Sequence, residues 1–155
     1  MKKDYLQLAI DLAIENSSLG LGGPYGAVIV LDDKIIASSA NLVTKNIDPT
    51  AHAEMVAIRK ACSRLNDFKL TDCILYSSCE PCPMCLGAIY WARLKTVYYA
   101  CDRHDAAKSG FDDSFIYDEI KLSPEQRQIS MIKVDREDAK KPFKVWSNSA
   151  KKVFY

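Results

Sequence analysis

The chain has 155 residues, 48% of them apolar and 26% charged, with a formal charge of +1. That length makes one domain with a full hydrophobic core, needing no disulfide staples. The charge excludes a bulk field for nucleic acid or acidic lipid; the last 23 residues do carry seven Lys/Arg (133, 136, 140, 141, 144, 151, 152) against three acids (135, 137, 138), which reads as a solvated helix face.

The stretch MKKDYLQLAIDLAIENSS opens like a signal peptide, but Asp4, Gln7, Asp11 and Glu15 interrupt its apolar residues. Leu8 and Leu12, with Leu6, Ile10 and Ala13, predict an amphipathic first helix closed by the turn GLGGPYG. No run approaches the length of a membrane span. GAVIVL (26–31) and KIIASSA (34–40) read as the two strands of a hairpin turning at Asp32-Asp33. In DPTAHAEMVAIRKACSRL, Ala51, Met55, Ile58, Ala61 and Leu65 recur at helical intervals, with Asp48 or Thr50 as the cap and Pro49 near the first turn.

CILYSS (73–78) predicts a third strand, PMCLGAIYWAR (83–93) a helix, and TVYYA (96–100) a fourth strand. A loop with one short helical piece runs through GFDDSFIYDE. ISMIKV (129–134) is expected to add a fifth strand, and PFKVWSNSAKKVF a last helix with Pro142 at its start. This order predicts an α/β fold, a three-layer α/β/α sandwich around one five-stranded mixed sheet, as a single domain over residues 1–155.

Six cysteines without an export signal suggest reduced thiols in the cytoplasm, where the pattern points to metal binding or catalysis before disulfides. Of the two histidines, His104 falls in the loop CDRHDAAKSG and is expected to be exposed. His52 stands two residues before Glu54. A zinc site with one open position needs three N or S ligands, which His52 and two thiols of SSCEPCPMC supply. Pro81 disfavours helical geometry at Glu80 and leaves Cys79 to the preceding strand or its loop. Pro83 suits a first helical turn, so Cys82 and Cys85 share one face of that turn, where a helix N-terminus favours the thiolate.

His52 and Glu54, at i and i+2, meet at one point only off the N-terminal end of their helix. The expected site therefore lies between two helix starts, with Glu54 beside the open position. A carboxylate there can take a proton from water and return it to a leaving group. Two other readings stay open: a redox-active C-x-x-C, which leaves His52 and Glu54 without a role, and a closed structural zinc site with Cys79 as fourth ligand.

HAE, followed 28 residues after Glu54 by the first cysteine of PCPMC, resembles the H-x-E…P-C-x-x-C signature of the zinc-dependent nucleoside and nucleobase deaminases. Within that superfamily the chain is similar nearly end to end to the bacterial guanine deaminases, through GGPYGAVIV, DPTAHAEMVAIRKAC, DCILYSSCEPCPMCLGAIYWAR, GFDDSFIY and a chain that stops at Tyr155. The resemblance implies the cytidine deaminase-like fold and one zinc ion per subunit on His52, Cys82 and Cys85. It implies Glu54 as the proton shuttle in hydrolysis of guanine to xanthine and ammonia. It also implies Asn41 as a base-binding residue, Asp113 as a second acid, Tyr155 as part of a C-terminal segment closing the pocket, and a homodimer exchanging that segment (about 136–155).

The residues themselves agree in chemistry. Asn41 offers a donor and an acceptor for a ring edge, although it also suits a turn. The pair Asp112-Asp113 leaves open which acid faces the site, and either suits a helix cap. Tyr25 stands where the family more often has Phe, so the pocket wall gains a hydroxyl. Tyr90 and Trp91 are read as core or dimer contacts before substrate stackers. Rival substrates are guanosine and an adenosine in transfer RNA; the latter needs a basic surface that a charge of +1 does not supply.

Overall fold

The computed structural model describes residues 4–155 and divides into two compact units, one ending at Asp113 and the other Ser114–Tyr155. Residues 1–3, which open the stretch resembling a signal peptide, lie outside the described residues.

In the first unit, helix α1 (Tyr5–Ser18) starts at Asp4, whose carboxylate accepts the Gln7 N–H. Strands β1 (Gly26–Leu31) and β2 (Lys34–Ala40) form the expected hairpin. Its turn residues Asp32 and Asp33 both have positive φ, 47° and 58°, the backbone that a two-residue hairpin turn requires and that Asp tolerates. A four-residue helix, α2 (Val43–Asn46), leads to α3 (Ala53–Leu65). Strand β3 (Ile74–Cys79), helix α4 (Pro83–Trp91), strand β4 (Thr96–Cys101) and helix α5 (Arg103–Lys108) follow.

The sheet is mixed, in the order β2-β1-β3-β4, with only the β3–β4 pair parallel. β1 is buried on both faces, which is why GAVIVL is a continuous apolar run and not an alternating one. Ala27 and Ile29 pack with Leu75 against Ala53, Ala57 and Ile58 of α3 and Ile89 of α4. Val28 and Val30 pack on the opposite face against Tyr5 and Ala9 of α1. Helices thus cover both faces of the sheet. Gly26 permits the closest approach of α1: a Cβ there would lie 2.1 Å from the Ala9 carbonyl oxygen.

Four expectations need correction, the last of them in the second unit. The sheet has four strands, not five. Residues 129–134 form no strand; Ile129, Met131, Ile132 and Val134 are all exposed. A β-rich run becomes a strand only by pairing, and the apolar residues of this one fall on both parities, giving no single face to bury. Helix α3 begins at Ala53 with His52 as its cap, later than the Asp48–Thr50 start expected. The physical reason is local: the Asp48 carboxylate accepts both the Thr50 N–H (2.8 Å) and its hydroxyl (2.7 Å), closing a turn before the helix. His104 is exposed as expected, but it sits in α5 and not in a loop.

The second unit holds α6 (Ser114–Lys121), a 3-10 turn (Pro124–Gln126) and α7 (Lys141–Asn148), shorter than the final helix expected. The Arg127 guanidinium donates to the carbonyls of Glu119 and Leu122 and fixes the end of α6. Trp146 meets Phe154 edge-on at 6.2 Å.

Candidate active site

Two helix starts face each other. His52 caps α3 and Cys82 caps α4, both in extended conformation, with Pro83 in the first turn of α4 and Cys85 two positions further in. Neither side chain makes the usual helix-cap hydrogen bond. His52 and Cys82 instead turn to each other: the Cys82 Sγ is 3.4 Å, and the Cys85 Sγ 3.6 Å, from His52 Nδ1.

The three ligand atoms lie within 4.8 Å of one another, in a group of residues that could hold a metal ion. A tetrahedral zinc with bonds of about 2.3 Å to sulfur and 2.0–2.1 Å to nitrogen sets those atoms roughly 3.5 Å apart, so the donor set fits in both chemistry and spacing. Cys79, at the end of β3, is outside the group; it is buried and its thiol donates to the Asp102 carbonyl at 3.5 Å. All six cysteines are free.

Electrostatics set one thiol apart. Cys82 is pushed down to about 4, first by a hydrogen bond from Cys85 and then by His52, while Cys85, which keeps the proton of that bond, is pushed up. Its hydrogen bond with Cys82 raises His52. Burial pushes the Cys79 thiol up to about 11. A cation at the three ligand atoms suits this arrangement, since it compensates the charge of a second thiolate.

Glu54, in the first turn of α3, is 4% exposed. Burial raises its carboxyl above the ordinary value, opposed by a hydrogen bond from Ser77. The Ser77 hydroxyl donates to Oε1 at 3.1 Å, and the Cys85 Sγ stands 3.6 Å from Oε2. A buried carboxyl next to a metal-ligand set is equipped for proton transfer.

Asn41 and Tyr25 are neighbours at the open end of the hairpin, joined by a bond from the Asn41 N–H to the Tyr25 carbonyl (3.0 Å). Asn41 is buried, and its Oδ1 accepts the Val43 N–H, so the side chain keeps its amide donor for another partner. Burial, then the charges of Cys79, Glu54, Asp113 and Cys82, raise the Tyr25 phenol. Its ring meets Phe111 edge-on at 5.3 Å. Asp113 is half-buried and raised by burial and then by Cys82, whereas Asp112 is exposed. Tyr155 is exposed in the second unit, and Tyr90 and Trp91, at 70% and 62% exposure, are not core residues.

Two residues went unnoticed in the sequence. Ser77 is one. Asn16 of α1 is the other: buried, it donates from Nδ2 to the carbonyls of Gly23 (2.9 Å) and Asn41 (3.0 Å) and pins the glycine turn to Asn41. Alternation along β3 puts Ser77 on the buried face with Leu75, a signal that sequence does carry; Asn16 gives none.

The family model for the cytidine and deoxycytidylate deaminase zinc-binding region matches residues 1–101. A guanine deaminase from Bacillus subtilis is 56% identical over 151 residues, 97% of each chain. The X-ray structure of guanine deaminase from Bacillus subtilis superposes with a TM-score of 0.95 at 56% identity, covering 97% of this chain and 96% of that one. A transfer-RNA-specific adenosine deaminase from Aquifex aeolicus is 45% identical over 91 residues, 57% of this chain and 60% of its own.

Proposed function

Because the chain belongs to the cytidine and deoxycytidylate deaminase family, we infer that it converts guanine to xanthine and ammonia with one zinc ion per chain. The observation that carries this reading is likeness to guanine deaminase at 56% identity along 97% of both chains, against transfer RNA deaminases that match 57% of this chain at 45% identity or 76% of it at 34%. A formal charge of +1 also favours a free base over a polynucleotide.

His52, Cys82 and Cys85 hold the zinc in this reading, and the 3.4 and 3.6 Å spacings support the assignment. Zinc supplies Lewis-acid activation of water at neutral pH. Glu54 Oε2 takes a proton from the attacking water and gives it to the departing amino nitrogen of the base. The water oxygen forms a bond to ring carbon 2, the bond from that carbon to the amino group breaks, and ammonia leaves. The Asn41 amide holds the ring edge, and Asp113 accepts an N–H beside the amino group while assisting its departure. Tyr25 forms part of the pocket wall and adds its hydroxyl there.

The second unit has its place in the same proposal. Phe143, Val145, Val153, Phe154 and Tyr155 are all more than half exposed, an apolar surface that supports a homodimer exchanging residues of about 136–155, with Tyr155 closing the partner's pocket. No helix of the described residues is long and apolar enough to cross a membrane, and six free thiols favour the cytoplasm.

Ammonia release from guanine, guanosine, cytosine, cytidine, adenine and a transfer RNA anticodon stem tests the reading. Guanine should dominate; preference for any other substrate overturns it.

A further inference from the structure

We propose that Ser77 is a positioning residue for Glu54, holding Oε1 so that Oε2 alone carries the proton in transit. The proposal rests on the reading of Glu54 as the proton shuttle. Ser77 is 1% exposed and points, with Leu75, to the face of β3 that α3 covers. At 1% exposure it has no solvent to bond, so the hydroxyl needs a partner within the protein. It finds one 23 residues away in sequence, donating to Glu54 Oε1 at 3.1 Å.

The other polar side-chain atom beside Glu54 is the Cys85 Sγ, 3.6 Å from Oε2. Ser77 takes Oε1, while Oε2 is the oxygen on the side of Cys85, one of the three ligand residues. The two carboxylate oxygens thereby acquire different duties. Protonation of Oε2 leaves Oε1 still an acceptor, so the Ser77 bond persists through the proton's arrival and departure. An unanchored carboxylate in this hole would rotate about its last torsion and present either oxygen at variable distance, a misplacement that costs rate and not affinity.

The test measures kcat and KM for guanine, with zinc content, in Ser77→Ala and Ser77→Thr beside Glu54→Ala. Ser77→Ala should keep one zinc and a KM within about twofold of the parent while kcat falls about tenfold or more, and Ser77→Thr should restore most of the rate. A normal kcat in Ser77→Ala, or a Thr variant no better than the Ala one, overturns the proposal. Should Ser77→Ala fail to accumulate, Ser77→Thr and Ser77→Val compare a hydroxyl with a methyl at matched volume, and equal rates overturn it as well. Normal turnover by Glu54→Ala would overturn the shuttle reading itself, a result distinct from failure at Ser77 alone.

Discussion

His52 and Cys82 each cap a helix without the usual side-chain cap bond: Nδ1 of one stands 3.4 Å from Sγ of the other. A helix N-terminus favours a thiolate, and Cys82 at the start of α4 is the thiol pushed down, first by Cys85 and then by His52. Cys85 belongs to this junction and Cys79 does not. Cys85→Ser should therefore lose zinc measured by elemental analysis, whereas Cys79→Ser should retain about one ion per chain, as three protein ligands suffice for an open site. Zinc loss in Cys79→Ser, matched by retention in Cys85→Ser, would reverse the assignment.

Glu54→Ala separates chemistry from architecture. The carboxylate lies next to the ligand atoms without belonging to the group they form, so its removal should leave zinc content unchanged. Turnover of guanine should drop by ~10² or more, the usual loss of a general acid/base. Steady-state ammonia release on zinc-replete variant decides the matter, and near-normal turnover sinks the mechanism.

The metal junction was legible in the sequence because prolines punctuate it. Pro81 and Pro83 fix where β3 stops and α4 starts, and the i, i+2 spacing of His52 and Glu54 leaves only the end of α3 as a meeting point. Local chemistry misled where a polar residue had two possible duties. Asp48 looks like a helix cap but closes a turn with Thr50, so α3 starts later. The stretch 129–134 shows the limit of propensity, since ladder partners are not written in the strand itself. Ser77 and Asn16 act across 23 and 25 residues, contacts that only the folded chain brings together.

Asn16 offers a way to disturb the proposed base-binding end without touching the three ligand residues. Its amide joins the Gly23 and Asn41 carbonyls, and Gly22 has no room to adjust, since a Cβ there would lie 2.5 Å from the Asn41 carbonyl oxygen. Asn16→Ala leaves two carbonyls without that donor and should cost about 1–3 kcal/mol of stability. With Asn41 loosened, KM for guanine should rise severalfold at unchanged zinc content. Thermal unfolding and KM measured on one preparation check both parts; an unaltered KM would remove Asn41 from base binding.

Removal of Tyr155 tests the role of the C-terminus. The residue is exposed, as are Phe154 and Val153 before it, and Trp146 packs edge-on to Phe154. If these side chains only decorate a surface, deleting the last residue changes nothing, because exposed substitutions away from special features shift stability by no more than about 0.5 kcal/mol. If Tyr155 closes a partner's pocket, the deletion should lower kcat/KM for guanine while zinc content and melting temperature stay near the parent values. Exchange between subunits makes a stronger demand. A chain lacking Tyr155, mixed through unfolding and refolding with an Asn41→Ala chain, should regain activity, since one mixed pocket would combine an intact Asn41 with an intact Tyr155. Complementation requires the two residues to come from different chains. Without it, and with the deletion alone fully active, the exchanged C-terminal segment has no part in catalysis.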